Sequence, residues 1–203
     1  MTILSILVLV MSVVLHELSH GIVADRLGDP TARYAGRLTL NPLKHLDLVG
    51  SILLPLSLVV SGAPFVFGWA KPVPYNPYNL SDRRWGPALV GLAGPLSNVG
   101  LAVLFGLVIR WGDVHGPFLE ALGSVFVLIV FINLVLALFN LIPIPPLDGS
   151  KLVYALLPVR YLRTYARLEA FGFIIVIGLL YFFGGYMLSW PVTFAFRLIT
   201  GMG

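Results

Sequence analysis

Two imidazoles and a carboxylate lie close together in the first strongly apolar stretch of the chain, at His16, Glu17 and His20. On a helix, His16 and His20 share one face, where a ring nitrogen of each can reach the same metal ion. Glu17 lies about 100° around the helix from His16, near such an ion but poorly placed to be a third ligand. A carboxylate in that position suits a general base that takes a proton from water. The motif therefore indicates metal-assisted hydrolysis.

The alternative interpretation of this motif is a set of buried polar side chains that only hydrogen-bond one another. The surroundings argue against it, because residues 1–24 are otherwise mostly apolar and long enough to cross a bilayer as a helix. Ionisable side chains inside a membrane span are costly and are usually functional. His16 would lie about 13 Å from the polar boundary at Asp25, which puts a bound metal within the bilayer near one face.

The composition is that of an integral membrane protein. Of the 203 residues, 58% are apolar and 11% are charged, and the mean hydropathy is +0.94. No polar stretch is long enough to form a soluble domain. We therefore expect one membrane-embedded domain over residues 1–203, with a core at 1–157 and an added span at 168–190.

Cysteine content and net charge restrict the partners. The chain contains no cysteine, so a transition metal must be held by histidine and carboxylate side chains. The net charge of +4 requires no nucleic-acid partner, because basic residues in a membrane protein mainly reflect topology and contact with anionic lipid. The expected surroundings are the lipid bilayer.

Apolar runs predict an all-α polytopic fold of about four transmembrane helices, at residues 1–24, 85–109, 118–141 and 168–188. The run 48–61 contains Pro55 and is shorter than the roughly 20 residues of a straight span. We expect it to re-enter as a hairpin, because 11 of the 13 basic residues, all but Arg110 and Arg197, then lie on one side. By the positive-inside rule that side is cytoplasmic. The following residues 65–74 predict an extended membrane loop, which either pairs with an unfolded substrate strand or is an interfacial loop.

Other polar positions could complete the site. Asp148 follows three prolines that end the third span. It could be the third ligand of a tetrahedral site with one open position, or it could cap the next helix. His45 could add or orient a ligand, or lie on the surface. Asn98, within the second span, could hydrogen-bond in the active-site cavity or hold a neighbouring helix.

Together these motifs resemble the site-2 protease family of intramembrane zinc metalloproteases. The resemblance rests on His16 to His20, on the run Asn140 to Gly149, and on Gly94 to Asn98 on the helix between them. The resemblance covers about residues 1–157, and the chain looks like a small bacterial member of this family. The PDZ and nucleotide-sensing domains of some relatives have no counterpart in the sequence.

The resemblance implies a cofactor and roles for residues. One Zn²⁺ per chain would be held by His16, His20 and Asp148, with Glu17 as the catalytic base. Asn98 and Asn140 would be substrate-cleft or transition-state residues, and Gly68 would belong to a glycine-containing membrane loop.

The implied function is hydrolysis of peptide bonds within or near transmembrane segments of membrane-protein substrates, as in regulated intramembrane proteolysis. The protein would be a multi-pass protein of the cell membrane, with its active site toward the cytoplasm. A metal-binding transporter or channel is the first alternative, and a non-catalytic adaptor is the second. No pair of halves repeats and the polar residues are concentrated at one place, which argues against transport. A scaffold has no use for an open metal site. The sequence gives no indication of the oligomeric state.

Overall fold

The computed structural model describes residues 3–62, 68–112 and 117–202, with the side chains of 117–121 and 183–186 left out. All regular elements in these ranges are helical. They are α1 (Ile3–Arg26), α2 (Thr31–Tyr34), α3 (Leu54–Val60), α4 (Gly86–Trp111), α5 (Pro117–Asn140), α6 (Gly149–Leu156), α7 (Val159–Met187) and α8 (Ser189–Thr200). A π-helical turn at Leu48–Leu53 leads directly into α3.

Four helices are long and apolar enough to cross a membrane, namely α1, α4, α5 from Leu122 and α7 as far as Phe182. A helix satisfies its own backbone hydrogen bonds, which is what a chain surrounded by lipid requires. The expected all-α polytopic fold with four spans is confirmed.

Helix α4 lies at the centre and packs against α1, α5, α6 and α8. Its buried face is rich in small residues, among them Gly91, Gly94, Ala102 and Gly106, which allow neighbouring helices to approach closely. This packing brings α1, which carries the His-Glu-x-x-His motif, and α6, which follows Asp148, to the same helix.

The C-terminal part differs from the expectation. The fourth long helix begins at Val159, before the predicted start of the last span at residue 168, and includes the basic residues Arg160, Arg163 and Arg167. Residues 159–171 contain no proline or glycine, so nothing in this stretch breaks the helix between its basic first turns and its apolar part. A further helix, α8, begins at Ser189, where the added span predicted at 168–190 was expected to end. Pro191 fits there because the first backbone N–H groups of a helix have no partner within it, and Val192 is buried against Ala102 and Val130.

The short apolar run forms a helical segment at Leu48–Val60, below the length of a span. The chain then returns, since the backbone N–H of Trp69 donates to the carbonyl of Gly50 at 3.1 Å. Gly68 allows this return, because a Cβ there would lie 2.6 Å from the same carbonyl oxygen. The first part of the expected extended loop, 65–67, lies outside the described residues.

Candidate active site

Side chains from two separate parts of the chain converge on one point. Nε2 of His16 lies 3.1 Å and Nε2 of His20 3.2 Å from Oδ2 of Asp148. The two rings are nearly perpendicular, at 87°, with centroids 4.6 Å apart. Among the described residues, these three form a group whose ligand atoms all lie within 4.8 Å of one another, and all three are buried.

This donor set fits a zinc ion. Two imidazole nitrogens and one carboxylate oxygen are ligands that Zn²⁺ prefers. Ligands at about 2.0–2.1 Å in a tetrahedron lie roughly 3.3 Å apart, close to the 3.1 and 3.2 Å that separate Oδ2 of Asp148 from the two histidine nitrogens. Three protein ligands leave one position open, the arrangement of catalytic rather than structural zinc sites.

Each histidine is oriented by a hydrogen bond on its other ring nitrogen. Nδ1 of His20 lies 2.6 Å from the carbonyl oxygen of Val90. A carbonyl can only accept, so Nδ1 carries the proton and Nε2 keeps its lone pair for a metal. Nδ1 of His16 lies 2.6 Å from Oδ1 of Asn98, the kind of contact behind a metal ligand that fixes the ring.

A chain of amides sets the polarity of the contact at His16. The Nδ2 group of Asn133 donates to the carbonyl of Ile129 and to Ser12 Oγ, both at 2.9 Å. Its Oδ1 therefore accepts from Nδ2 of Asn98 at 2.7 Å, which leaves Oδ1 of Asn98 to accept from His16 Nδ1–H. The backbone carbonyl of Ile129 thus favours a proton on Nδ1 of His16. Asn133 is fully buried and was not identified from the sequence, where a single Asn in an apolar run is its only signal.

Glu17 is held at the wall of the same cavity. This cavity has a volume of about 190 Å³, and His16, Glu17, His20 and Asp148 all contribute to its lining. Oε2 of Glu17 accepts a hydrogen bond of 2.9 Å from the backbone N–H of Val73. Because this contact uses Oε2, the other carboxylate oxygen is the one available to a water molecule.

Asp148 divides its two oxygens between different partners. Oδ2 faces the histidines, and Oδ1 accepts from Nζ of Lys151 at 2.8 Å. Although Asp148 precedes α6, its side chain makes no capping hydrogen bond. The lysine favours a single-oxygen contact between Asp148 and a metal.

Gly94 provides the space for the two imidazoles. A Cβ atom at this position would lie 2.4 Å from Nε2 of His20 and 2.6 Å from Nε2 of His16. Real Cβ atoms do not approach so closely, so a larger residue would displace the metal-binding atoms.

Comparison with known proteins agrees with this geometry. Residues 112–183 match the model of peptidase family M50. The chain is 40% identical over 197 residues to "Putative zinc metalloprotease YwhC" of Bacillus subtilis, covering 95% of this chain and 86% of the relative. The chain belongs to the M50 family of site-2 proteases.

Two further relatives bear the same kind of name. "Putative zinc metalloprotease Rip2" of Mycolicibacterium smegmatis is 34% identical over 172 residues, which are 84% of this chain and 63% of the relative. MJ0611 of Methanocaldococcus jannaschii is 29% identical over 168 residues, 73% of this chain and 72% of the relative. No solved structure is significantly similar to the chain. The cofactor of this zinc metalloprotease family is Zn²⁺, and the group His16, His20 and Asp148 can hold it.

The other predicted site residues of this M50 protein, Asn140, Asn98 and His45, do not all line the cavity. Asn140 lines the cavity and donates to the carbonyl of Leu136 at 3.0 Å. Asn98 is fully buried behind His16. His45 is 2% exposed, so it is not a surface residue, and its Nε2–H donates to the carbonyl of Thr39 at 2.9 Å.

His45 and Arg37 support the loop instead. The carbonyl of His45 accepts from the backbone N–H of Lys71 at 2.9 Å, and Arg37 donates to the carbonyls of Lys71 and Pro72 at 2.6 and 3.3 Å. These contacts hold the residues just before Val73, and so they hold the donor of the Glu17 hydrogen bond.

Proposed function

We propose that this chain is an intramembrane endopeptidase that cleaves peptide bonds within or near transmembrane segments of other membrane proteins. The observation that supports this most is the position of the His16, His20 and Asp148 group. It lies together with Glu17 in one cavity between helices that are long and apolar enough to span a membrane.

The residues divide the work of hydrolysis. A zinc ion held by His16, His20 and Asp148 would supply Lewis-acid polarisation and would make a water molecule more acidic. Glu17 takes the proton from the attacking water and passes it to the leaving amine, as a general base and then a general acid. The Val73 N–H keeps the Glu17 carboxylate at the cavity wall, and Asn98 and Asn140 are proposed to support substrate or transition state.

The substrate must unwind locally before it is cleaved. The carbonyl groups of a substrate span are hydrogen-bonded within its helix, so a span must lose helical hydrogen bonds before its carbonyl can react beside Glu17. We infer that glycine or proline near the cleaved bond favours turnover, because both lower helix stability.

The extended segment offers limited pairing to a substrate strand. Alternate residues Trp69, Lys71 and Val73 already use their N–H groups on Gly50, His45 and Glu17. On the opposite edge Pro72 and Pro74 have no N–H, so between Trp69 and Pro74 only Ala70 can donate a backbone hydrogen bond there. Main-chain pairing at this loop would be short and would read little sequence.

We also propose that residues 1–203 act as one membrane domain with the site toward the cytoplasm. Helix α7 is joined to the region after α5, because the hydroxyl of Tyr165 donates to the carbonyl of Pro143 at 2.8 Å. Trp69 of the loop contacts Phe173 edge to face, with centroids 5.5 Å apart. The basic residues near the site support this orientation, because the positive-inside rule places such residues on the cytoplasmic side.

The deciding experiment is the variant Glu17→Gln in a bilayer. It keeps the size and polarity of the side chain but cannot act as a base, so it should bind zinc normally and lose cleavage of a single-span substrate. Asp148→Ala, in contrast, should lose zinc itself, because three ligands are needed. Normal turnover by Glu17→Gln would refute the proposed mechanism.

The transporter alternative is tested with the same proteins. Zinc flux into liposomes that is equal for wild type and Glu17→Gln would favour transport. The substrates can be sought by trapping, since Glu17→Gln should retain uncleaved partners in its native membrane. We expect single-span proteins or their remnants, with small or helix-breaking residues in the cytoplasmic third of the span.

A further inference from the structure

A second and larger cavity adjoins the active site. It has a volume of about 600 Å³ and lies between the segment before α4 and helices α6 and α7. Tyr75, Pro146 and Lys151 line both this cavity and the one that contains Glu17. A polypeptide in the active site can therefore continue directly into the second cavity.

Cations predominate on its charged walls. Arg83, Arg84 and Lys151 line it, against one carboxylate, Glu169. Lys151 is paired with Asp148, and Arg84 is positioned by donation from its Nε to the carbonyl of Ala155 at 2.9 Å. The two arginines are exposed at the cavity, so an occupant with negative charge is complementary to them.

The rest of the wall suits a short extended peptide. Four prolines and two tyrosines contribute to it, at Pro77, Pro87, Pro145, Pro146, Tyr75 and Tyr154. Rigid proline and aromatic surfaces bind extended chains with little loss of side-chain entropy. The volume is within the range of pockets that enclose a ligand.

We propose that this second cavity docks the part of the substrate that leaves the membrane beside the cleaved bond, and that it selects aspartate and glutamate in that flank. The proposal rests on the proposed protease function. The second cavity would supply sequence selectivity, which an active site that contacts mainly the substrate backbone lacks. Because cytoplasmic flanks of membrane spans are usually basic, arginines at the cavity would repel most membrane proteins and admit those with an acidic flank.

Cross-linking of a trapped substrate tests the docking directly. The probe is a designed single-span protein with one cysteine in its cytoplasmic flank, made with an acidic, an Asn/Gln or a lysine flank. The chain has no cysteine of its own. The Glu17→Gln variant receives one at Leu162, which lines the cavity, or at Leu156, a control position that is 60% exposed.

In phosphatidylcholine nanodiscs, the acidic flank should cross-link to position 162 about fivefold more than the Asn/Gln flank, and the lysine flank less than either. Position 156 should show no such order. Arg83→Glu should reverse the order at position 162, whereas the matched change Arg163→Glu, on the same helix as Leu162 but not at the cavity, should preserve it.

Equal yields for the three flanks at position 162, or an order that Arg83→Glu does not alter, would overturn the proposal. So would loss of acidic-flank cross-linking when phosphatidylglycerol replaces part of the phosphatidylcholine, since the cavity would then be a lipid-headgroup site. Cleavage of the Asn/Gln probe by the wild type separates the docking proposal from the proposed protease function. If the probe is cleaved but the three flanks cross-link equally, the protease function stands and the docking site is rejected. If the flanks cross-link in the expected order but the probe is not cleaved, the docking site stands and the protease function is rejected.

Discussion

The backbone N–H of Val73 donates to Oε2 of Glu17 across 2.9 Å, although the two residues are 56 positions apart in the chain. The proposed general base is therefore oriented by a loop and not by its own helix. The loop in turn is held by Arg37, His45 and Gly50 through backbone contacts at Trp69, Lys71 and Pro72. Anything that shifts this segment should move the Glu17 carboxylate.

Removing that N–H gives a direct prediction. Val73→Pro should lower kcat about tenfold or more while zinc binding is unchanged, because a general base contributes 10²–10⁴-fold and here loses its orientation. Val73→Ala retains the N–H and is the matched control. Kinetics on a single-span substrate, with zinc content measured on the same samples, checks it. Equal kcat for the two variants would show that the hydrogen bond has no role.

The convergence of His16, His20 and Asp148 was predictable from the sequence because its signals are local or strong. The four-residue spacing of His16 and His20 fixes a shared helix face, and an apolar run makes polar side chains conspicuous. Asp148 followed from its place after a proline-broken helix end. The four spans followed from run lengths, since lipid requires long apolar helices.

The supporting contacts had no such signal. Asn133 lies 35 positions from Asn98 and 121 from Ser12, so only the packing of α1, α4 and α5 reveals the chain of amides. The Val73 contact uses a backbone group, which every residue except proline has. Helix α8 was missed because its stability comes from packing of Val192 on Ala102, Val130 and Leu134 rather than from a run of span length.

Gly94→Ala should abolish tight zinc binding. Its Cβ would lie within 2.6 Å of the metal-binding nitrogens of His16 and His20, and the imidazoles would have to leave the site. We expect a loss of at least about 100-fold in affinity, measured by competition with a chelator. Gly100→Ala is the control on the same helix, because a Cβ there meets nothing within 4 Å. Equal zinc affinity in the two variants would contradict the described packing.

Acid should destabilise the junction between α1 and α4 through Asp29. Burial alone would raise the pKa of Asp29, but four hydrogen bonds from Thr31, Asn79 and Asn76 hold it below its usual range. A lowered folded-state pKa contributes stability that is complete above the unfolded pKa of about 3.9 and is lost as the pH falls toward the folded pKa. Asp29→Asn should therefore cost about 1–3 kcal/mol at pH 7.

Thermal unfolding in detergent at several pH values measures this effect. The difference in Tm between wild type and Asp29→Asn should be largest at neutral pH and should narrow below pH of about 4. If the difference in Tm is the same at every pH, the four hydrogen bonds do not stabilise the charged form of the Asp29 carboxylate.

The short helical segment Leu48–Val60 should not cross the bilayer. Its return to Gly50 through Trp69 predicts that Ser61 lies at a tip within the lipid, out of reach of water on either side. In this cysteine-free chain, Ser61→Cys should resist an impermeant thiol reagent added from outside, whereas Trp111→Cys, at a position 74% exposed, should react. Labelling of both from outside would mean a full crossing and would reverse the assigned side of Lys71.

The chain of amides behind His16 should control how tightly the site binds zinc. Asn133→Leu removes the acceptor that orients Asn98, so Asn98 can present its NH₂ group to His16 and favour the wrong tautomer. Zinc affinity should fall about 10–100-fold, the usual cost of losing a contact behind a metal ligand. Nitrogen NMR of the metal-free protein should show Nδ1 of His16 losing its proton, because an Asn98 NH₂ group needs an acceptor there.

Ser12→Ala is the matched control for that variant. It deletes one acceptor of the Asn133 NH₂ group but leaves the other, the carbonyl of Ile129 at 2.9 Å, which is the group that fixes the polarity. Zinc affinity and the His16 tautomer should therefore remain close to wild type in Ser12→Ala. Equal losses in the two variants would locate the effect in packing between α1 and α5. Unchanged affinity in Asn133→Leu would show that Asn98 is oriented without its neighbour.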